Sequence, residues 1–234
     1  MVNPPPSQPF QVPPDGPWVD LWLGTPRLGR YLTAAGGNRA LALALYEWNS
    51  QISSALQRDL AHLEVALRNA YDRAATNWGG QGHWLRDGYT QVFAPVYRQR
   101  GGHPIDINRQ AREQVAQAIV AAGGPTAPPG KVIAQLSFGF WRYLSTSAHE
   151  KALWVPFLHR AFVAGTNRTA INDAIGRLHD LRNRIAHHEH LLSADLPGRC
   201  NDILTVAAAV SPDLAVYLQA STTTTLLLAR RPTP

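Results

Sequence analysis

Apolar residues in the first third of the chain recur at steps of three or four, the spacing that places side chains on one face of an α-helix. The series starts after Asn38, a residue type that caps helices, and reaches about Trp78, with no glycine or proline before Gly79. Its members are Leu41, Leu45, Trp48, Ile52, Leu56, Leu60, Leu63, Leu67 and Tyr71. At 1.5 Å per residue this helix would be about 60 Å long, which suits the spine of a helical bundle or a dimer interface.

Helical spacing continues through most of the chain, and no segment keeps the alternation of a β-strand for long. One helix is expected from Thr25, as N-cap, and Pro26, as first helical residue, to the glycines that follow residue 35. Asn167 can cap another, whose apolar line is Ile171, Ile175, Leu178 and Ile185. Further helices are expected over 109–121, 131–145, 150–162, 199–210 and 212–220. The sequence therefore predicts an all-α fold, a helical bundle with one very long helix and additional packing helices.

The ends of the chain and one internal segment depart from this pattern. Residues 1–17 contain seven prolines and predict a flexible arm, residues 18–220 a single domain, and residues 221–234 an irregular tail. Residues 79–107 are rich in glycine and aromatics, with the basic cluster Arg98, Arg100 and His103. This segment is interpreted as an ordered insertion with at most a short helix. Its aromatics could stack nucleic-acid bases, but anchoring on the core is the preferred interpretation.

The charge of the chain permits a nucleic-acid partner without demonstrating one. Net charge is +6 and the only lysines are Lys131 and Lys151, so arginine, whose planar fork suits phosphate, dominates the positive charge. Cys200 is the only cysteine, which excludes an internal disulfide and suits a reducing compartment. No apolar run has the length of a transmembrane helix, and the N-terminus lacks the pattern of a signal peptide. A soluble cytoplasmic protein without a membrane partner is the expectation.

The strongest candidate for chemistry is the stretch 180–190, near the end of a predicted amphipathic helix. It contains Arg182, then Asn183, then His187 five positions after the arginine. On a helix Asn183 and His187 share a face, whereas Arg182 lies about 140° from His187. Arg182 must therefore reach round the helix, or the site must be completed by another element or subunit. This spacing favours a composite site, with two copies of the helix facing each other across a dimer.

These residue types suit RNA cleavage without a metal ion or cofactor. Histidine changes its charge near neutral pH, so His187 could remove the proton of a ribose 2′-hydroxyl, which would then attack the adjacent phosphorus. Arg182 would offset charge on the phosphoryl oxygens, and Asn183 could orient the imidazole or hold a phosphate oxygen. DNA could not react, because it lacks the 2′-hydroxyl.

Two other interpretations of the stretch stay open. Basic residues at a helix C-terminus interact favourably with the helix dipole, and these residues could serve only to stabilise the helix end. His187 and His190 could hold a metal with Glu189, but a His-Glu-x-x-His pattern and a cysteine partner are absent from the sequence. The dipeptide at 179–180 is too weak a signal for a metal phosphohydrolase. The ribonuclease interpretation is preferred to both.

Polar residues on the long helix offer a second part of the site. Glu64 and Arg68 lie four apart, so they could form an ordinary ion pair along one face. Alternatively, these two side chains and Asn69 point into the same site as His187.

The order Arg182, Asn183, His187 resembles the Arg-polar-x-x-x-His signature of HEPN-domain ribonucleases, and the surrounding chain resembles their Abi-like (abortive infection) branch. The resemblance runs from about Trp22 to His190, and its segments are 27–32, 44–49, 64–69, 130–134, 136–141, 153–154 and 181–189. It implies a helical, usually dimeric HEPN-type fold, and a protein that cuts single-stranded RNA or tRNA in phage defence or as a toxin. The resemblance also allows an antitoxin as a further partner.

The resemblance also assigns roles to residues. Arg182, Asn183 and His187 match the family's catalytic positions, although His188 fits a spacing one residue longer and leaves the choice of histidine open. Auxiliary or RNA-binding roles are implied for Glu64, Arg68, Asn69, Arg184 and His188. Because some HEPN-like proteins only bind nucleic acid, a non-catalytic RNA-binding or regulatory module is the alternative.

Overall fold

The computed structural model describes residues 11–233, and its longest element is the helix that the apolar spacing predicts. This helix, α3 (Arg39–Ala74), follows α1 (Pro17–Leu23) and α2 (Thr25–Ala34). The Asn38 side chain caps α3 by accepting a hydrogen bond from the Leu41 amide at 3.1 Å. The helix ends four residues before the predicted limit near Trp78. α2 begins at Thr25 itself, with Gly24 as its N-cap, one residue earlier than expected.

The remaining elements in chain order are one hairpin and further helices, all of them shorter than α3. They are α4 (Tyr89–Val92), β1 (Tyr97–Arg100), β2 (His103–Asp106), α5 (Arg109–Ala122), α6 (Pro129–Ala134), α7 (Phe138–Leu144), α8 (Arg168–Ala186), α9 (Leu196–Val210), α10 (Pro212–Ser221) and α11 (Thr224–Ala229). Apart from the two-stranded hairpin, all regular structure in residues 11–233 is helical. The prediction of an all-α helical bundle is confirmed.

The segment 79–107 contains more regular structure than expected. Strands β1 and β2 pair antiparallel, with Arg100 opposite His103. Gly101 and Gly102 form the two-residue turn between them and both have positive φ, 59° and 83°, as a hairpin turn of this kind requires. Trp84 and Phe93 are buried in the core, as the preferred interpretation of the aromatics as anchors expects, whereas Tyr97 is 67% exposed on β1. The hairpin carries Arg98 and Arg100 out to solvent.

The two helices predicted over 131–145 and 150–162 are replaced by shorter elements. Ser137 is extended, with φ −74° and ψ 162°, and separates α6 from α7. After α7 the chain forms 3-10 helices at Ser147–His149 and Leu158–Ala161, with a π-helical turn at Glu150–Trp154 between them. Pro156 lies between the last two and lacks the amide hydrogen that a continuous helix would use.

α3 is the centre of the packing. The second, eighth, ninth and eleventh helices contact it, and the main core includes the buried rings of Trp48, Tyr71, Trp84, Phe93, Phe138, Phe140 and Trp141. Two smaller apolar clusters join α1 and α2 to the N-terminal half of α3. Within residues 11–233 there is no helix with both the length and the apolar character needed to cross a bilayer.

The end of the chain is ordered against α3, so the expectation of an irregular tail is wrong. Asp59 is buried on α3 and accepts hydrogen bonds from the hydroxyls of Thr222 and Thr224. The indole of Trp48 donates to the Leu227 carbonyl at 2.7 Å. Most of the predicted N-terminal arm, residues 1–10, lies outside the described residues, and Asp15 in its last part pairs with Arg39 at 2.7 Å.

A buried histidine makes the stability of this fold depend on pH. His149 is 1% exposed, between the rings of Phe93 and Tyr143, and burial lowers its pKa from 6.5 to about 4. The unfolded chain therefore binds this proton first as pH falls, so stability is complete above pH 6.5 and is lost between pH 6.5 and about 4. The full loss is on the order of 3 kcal/mol.

Urea unfolding at pH 7.5 and pH 4.5 would measure this dependence. We expect His149→Gln to flatten it, because the amide does not titrate. His179 and His190 also have lowered pKa values and contribute with the same sign, so the wild-type and variant slopes must be compared. Equal slopes would contradict the assignment to His149.

Candidate functional site

The predicted motif lies at the C-terminal end of α8, where the helix stops between Ala186 and His188. The Asn167 side chain caps the other end by accepting from the Ala170 amide at 3.0 Å, as the sequence predicts. The His188 amide donates to the Ile185 carbonyl at 3.0 Å and the Glu189 amide to the Arg184 carbonyl at 2.8 Å. This is the Schellman pattern of helix termination.

His188 occupies the left-handed position of that pattern. Its φ is +53°, and among residues 11–233 it is the one non-glycine residue with positive φ. Glycine is the usual residue at this position because a Cβ atom disfavours the left-handed conformation. The chain therefore turns sharply at His188, and both His187 and His188 are exposed beyond the helix end.

Two open cavities lie beside these histidines and share Arg27, His188 and Glu189. The larger, about 420 Å³, is bounded mainly by α3 and is lined by Arg27, Tyr46, Asn49, Ser50, Ser53, Ser54, Gln57, Ile185, His188 and Glu189. The smaller, about 240 Å³, faces α2 and is lined by Pro26, Arg27, Arg30, Tyr31, His187, His188, Glu189 and His190. Three imidazoles and two guanidiniums thus surround the smaller cavity.

Hydrogen bonds from other elements hold the segment that carries the histidines. The Arg27 guanidinium donates to the His188 carbonyl at 3.1 Å, and Arg184 donates to the His190 carbonyl at 2.8 Å. Asn49, buried on α3, accepts from the Leu191 amide at 2.7 Å. The turn after α8 is therefore fixed to both α2 and α3, and the histidines are presented at a defined place.

Arginines outnumber carboxylates among the residues that line the two cavities. Burial and then the charges of Arg30 and Arg184 lower the pKa of His190. Burial raises the pKa of Tyr31 to about 12, although the charges of Arg27 and Arg30 act to lower it. Glu189 is the only carboxylate among the residues that line the two cavities, and it pairs with Arg184 at 3.4 Å. An anionic ligand is therefore the kind that this site favours.

Arg182 and Asn183 face other partners. The charge of Arg182 acts on Glu64 of α3, as does that of Arg68, although burial dominates and raises the pKa of Glu64. The Asn183 amide nitrogen lies 3.3 Å from the Nε2 atom of His179. No hydrogen bond or ion pair between side chains of the described residues joins Arg182 or Asn183 to His187.

His179 extends this second group of polar side chains towards α7. Its ring stacks on Phe138 at 6.3 Å between centroids and 10° between planes. Burial lowers the pKa of His179, and the charge of Arg142 acts in the same direction. The Nε atoms of Arg68 and Arg142 are buried without a hydrogen-bond partner. Polar groups from the third, seventh and eighth helices therefore converge here.

The predicted site residues thus fall into two groups within one chain. His187 and His188 line the two cavities, and Arg184 bonds to the His190 carbonyl beside them. Glu64, Arg68, Arg182 and Asn183 line neither cavity; Arg182 and Arg68 act on Glu64, and Asn183 lies beside His179. Asn69 is partly buried on α3, and no side-chain hydrogen bond of the described residues links it to either group. No three His, Cys, Asp or Glu side chains in residues 11–233 are arranged to hold a metal ion.

Sequence reasoning missed several residues of the site. Arg27, Arg30, Tyr46 and Asn49 line the cavities, and Arg27 bonds to a carbonyl 161 residues away. Such long-range partners leave no local spacing to detect. The two arginines are three apart, a spacing that places them on neighbouring positions of one helix face, and this was the one available signal.

No protein-family model, curated protein or solved structure matches this chain. The resemblance to Abi-like HEPN proteins stays a prediction.

Proposed function

We propose that this chain is a metal-independent endoribonuclease that acts as a homodimer, with His187 as the base that starts the reaction. The observation that carries the proposal is the exposure of His187 and His188 in the walls of cavities that Arg27 and Arg30 also line. An imidazole accepts a proton near neutral pH, and guanidinium groups bind phosphate oxygens. A base and phosphate-binding groups at one open cavity are what cleavage of an RNA backbone requires.

The reaction is an internal transfer at phosphorus. His187 removes the proton of a ribose 2′-hydroxyl, and the 2′ oxygen forms a bond to the adjacent phosphorus. The bond between phosphorus and the 5′ oxygen breaks, and that oxygen takes up a proton. The products carry a 2′,3′-cyclic phosphate and a 5′-hydroxyl, and neighbouring guanidiniums offset the charge on the phosphoryl oxygens during the transfer.

In this proposal Arg182 and Asn183 contribute to the reaction site only if a second copy of the chain takes part. They are half-buried and line neither cavity, so they are not part of the site at His187 within one chain. We assign them to a composite site in which the ends of two α8 helices face each other. Arg182 of one copy then approaches the phosphate held near His187 of the other.

The biological role belongs to the same proposal and rests on the resemblance alone. Cleavage of cellular or phage RNA, including tRNA, would arrest growth, as in abortive infection or toxin action. The substrate would be cytoplasmic RNA, and an antitoxin would restrain the enzyme until it is needed.

Cleavage of end-labelled RNA in the presence of EDTA tests the function directly. We expect the protein to cut single-stranded RNA or tRNA and to leave a 2′,3′-cyclic phosphate. The matched substrate has a single 2′-deoxyribose on the 5′ side of the cut position, and we expect it to stay intact there, because the nucleophile is missing. Uncut RNA at micromolar protein, or equal cutting of both substrates, would contradict the mechanism.

A non-catalytic RNA-binding module is the second candidate, and the hairpin is the observation that favours it. Arg98 and Arg100 are exposed on β1 beside a groove of about 910 Å³ that Arg109 also lines. Phosphate contacts of this kind produce salt-dependent binding without chemistry. Binding that survives His187→Ala, with no cleavage by either protein, would favour this function.

A further inference from the structure

A pair of stacked tryptophans lies exposed on α1, next to the larger cavity. Trp18 and Trp22 are four residues apart on this helix, with ring centroids 5.5 Å apart and planes 14° from parallel. They are 46% and 52% exposed, whereas Val19 and Leu23, about 100° round the helix, are buried and dock it. The fold is thus held by one face of α1, and the two indoles are left available to a ligand.

Tyr46 connects this pair to the candidate site. Its ring contacts Trp22 edge-on, with centroids 5.3 Å apart, and it also lines the cavity of about 420 Å³ that contains Arg27 and His188. Trp18, Trp22 and Tyr46 therefore form one aromatic surface, which we call the aromatic platform, that ends at a cavity with a guanidinium and an imidazole in its wall.

The neighbouring charges indicate what the aromatic platform binds. Asp15 and Asp20, which precede and follow Trp18 in the chain, both pair with Arg39, at 2.7 Å each. Arg27 and Arg30, by contrast, are exposed at the cavities. Exposed flat rings beside exposed guanidiniums match the two repeating parts of a single-stranded nucleic acid, its bases and its phosphates. A purely apolar partner would not match the guanidiniums.

We infer that the aromatic platform stacks the bases of single-stranded RNA that flank the nucleotide held at His187 and His188. This inference rests on the proposed function for the identity of the substrate, since it names the class of RNA that the same site accepts. Duplex RNA would be excluded, because its bases are already stacked on one another. The platform would favour substrates with unpaired bases next to the cut, with little preference among the four bases.

Binding to an uncleavable ligand tests the platform separately from catalysis. The probe is a fluorescein-labelled, 2′-O-methylated single strand, compared with a strand of equal length and charge that contains abasic residues at successive positions. We expect the wild-type protein to prefer the complete strand. The double variant Trp18→Ala, Trp22→Ala should bind the complete strand at least tenfold more weakly and the abasic strand as the wild type does.

Two single variants provide matched controls. Leu21 is 87% exposed on the same helix, so Leu21→Ala removes apolar surface without a ring and should bind like the wild type. Trp22→Phe keeps an aromatic ring and should retain more of the preference than Trp22→Ala. Far-UV circular dichroism and the thermal midpoint would establish that the variants fold, as the exposure of both indoles leads us to expect.

The outcomes separate this inference from the proposed function. Binding with a preference for bases, but without cleavage of ordinary RNA, would support the platform and overturn the enzyme. Cleavage of ordinary RNA, together with equal binding by wild type and double variant, would support the enzyme and overturn the platform. If light scattering showed that the double variant turns a dimer into a monomer, the rings would be a dimer interface and the inference would be wrong.

Discussion

Replacing His187 by alanine is expected to lower the rate of RNA cleavage by about 10²- to 10⁴-fold, the contribution typical of a general base. The stability should change little. His187 is exposed, and its side chain makes no hydrogen bond with the described residues. A loss of activity without a loss of stability is the result that separates a catalytic histidine from one that serves the end of a helix.

The measurement is single-turnover cleavage of labelled RNA with EDTA present, for wild type and variant at equal protein concentration. His159→Ala is the matched control, because His159 is also exposed but lines neither cavity. The variant His188→Ala distinguishes between the two candidate histidines: the larger loss identifies the base. Equal rates for wild type, His187→Ala and His188→Ala would remove both from the mechanism.

Mixing two inactive variants is expected to restore activity if the site is composite. Arg182→Ala should lose about 10²- to 10³-fold, as for removal of a group that stabilises the transition-state charge, and His187→Ala is similarly inactive. In a mixed dimer one site combines the intact Arg182 of one copy with the intact His187 of the other. Random exchange of equal amounts makes about half of the dimers mixed, and each mixed dimer has one intact site of two. About a quarter of the wild-type activity is therefore expected in this two-fold arrangement.

This experiment needs subunit exchange and a check of mass. The two variants should be co-expressed or unfolded and refolded together, and light scattering should give the mass of a dimer. The double variant Arg182→Ala, His187→Ala mixed with His187→Ala is the matched control, because none of its dimers contains an intact His187 and mixing should restore no activity. A monomer, or no recovery on mixing, would show that the two groups of side chains do not form one site.

Helix ends and long apolar series were predictable because their signals are local. Asn38 and Asn167 cap α3 and α8 as the sequence predicts, since a cap depends only on residues three positions away. The apolar line of α3 repeats over 36 residues, so no neighbouring element could override it. Shorter series near 131–162 were overridden, because the extended Ser137 and the proline at 156 divide them.

The missed features depend on partners far along the chain. The order of the C-terminal residues comes from Asp59, which bonds to Thr222 across 163 residues. The hairpin could have been found from Gly101 and Gly102, a local signal, but its strands are only four residues each and mostly exposed, so no apolar alternation supported it. The separation of Arg182 from His187 did follow from helix geometry, whereas the contribution of Arg27 did not.

The left-handed conformation of His188 at the end of α8 links the stability of the helix end to the chemistry of the cavities. A glycine at position 188 would relieve the conformation at φ +53° and stabilise the helix end, but it would remove an imidazole from both cavities. Selection for a more stable protein and selection for the proposed RNA ligand would therefore act on this position in opposite directions. A relative with glycine there would keep the turn and would have to rely on the single histidine that precedes it.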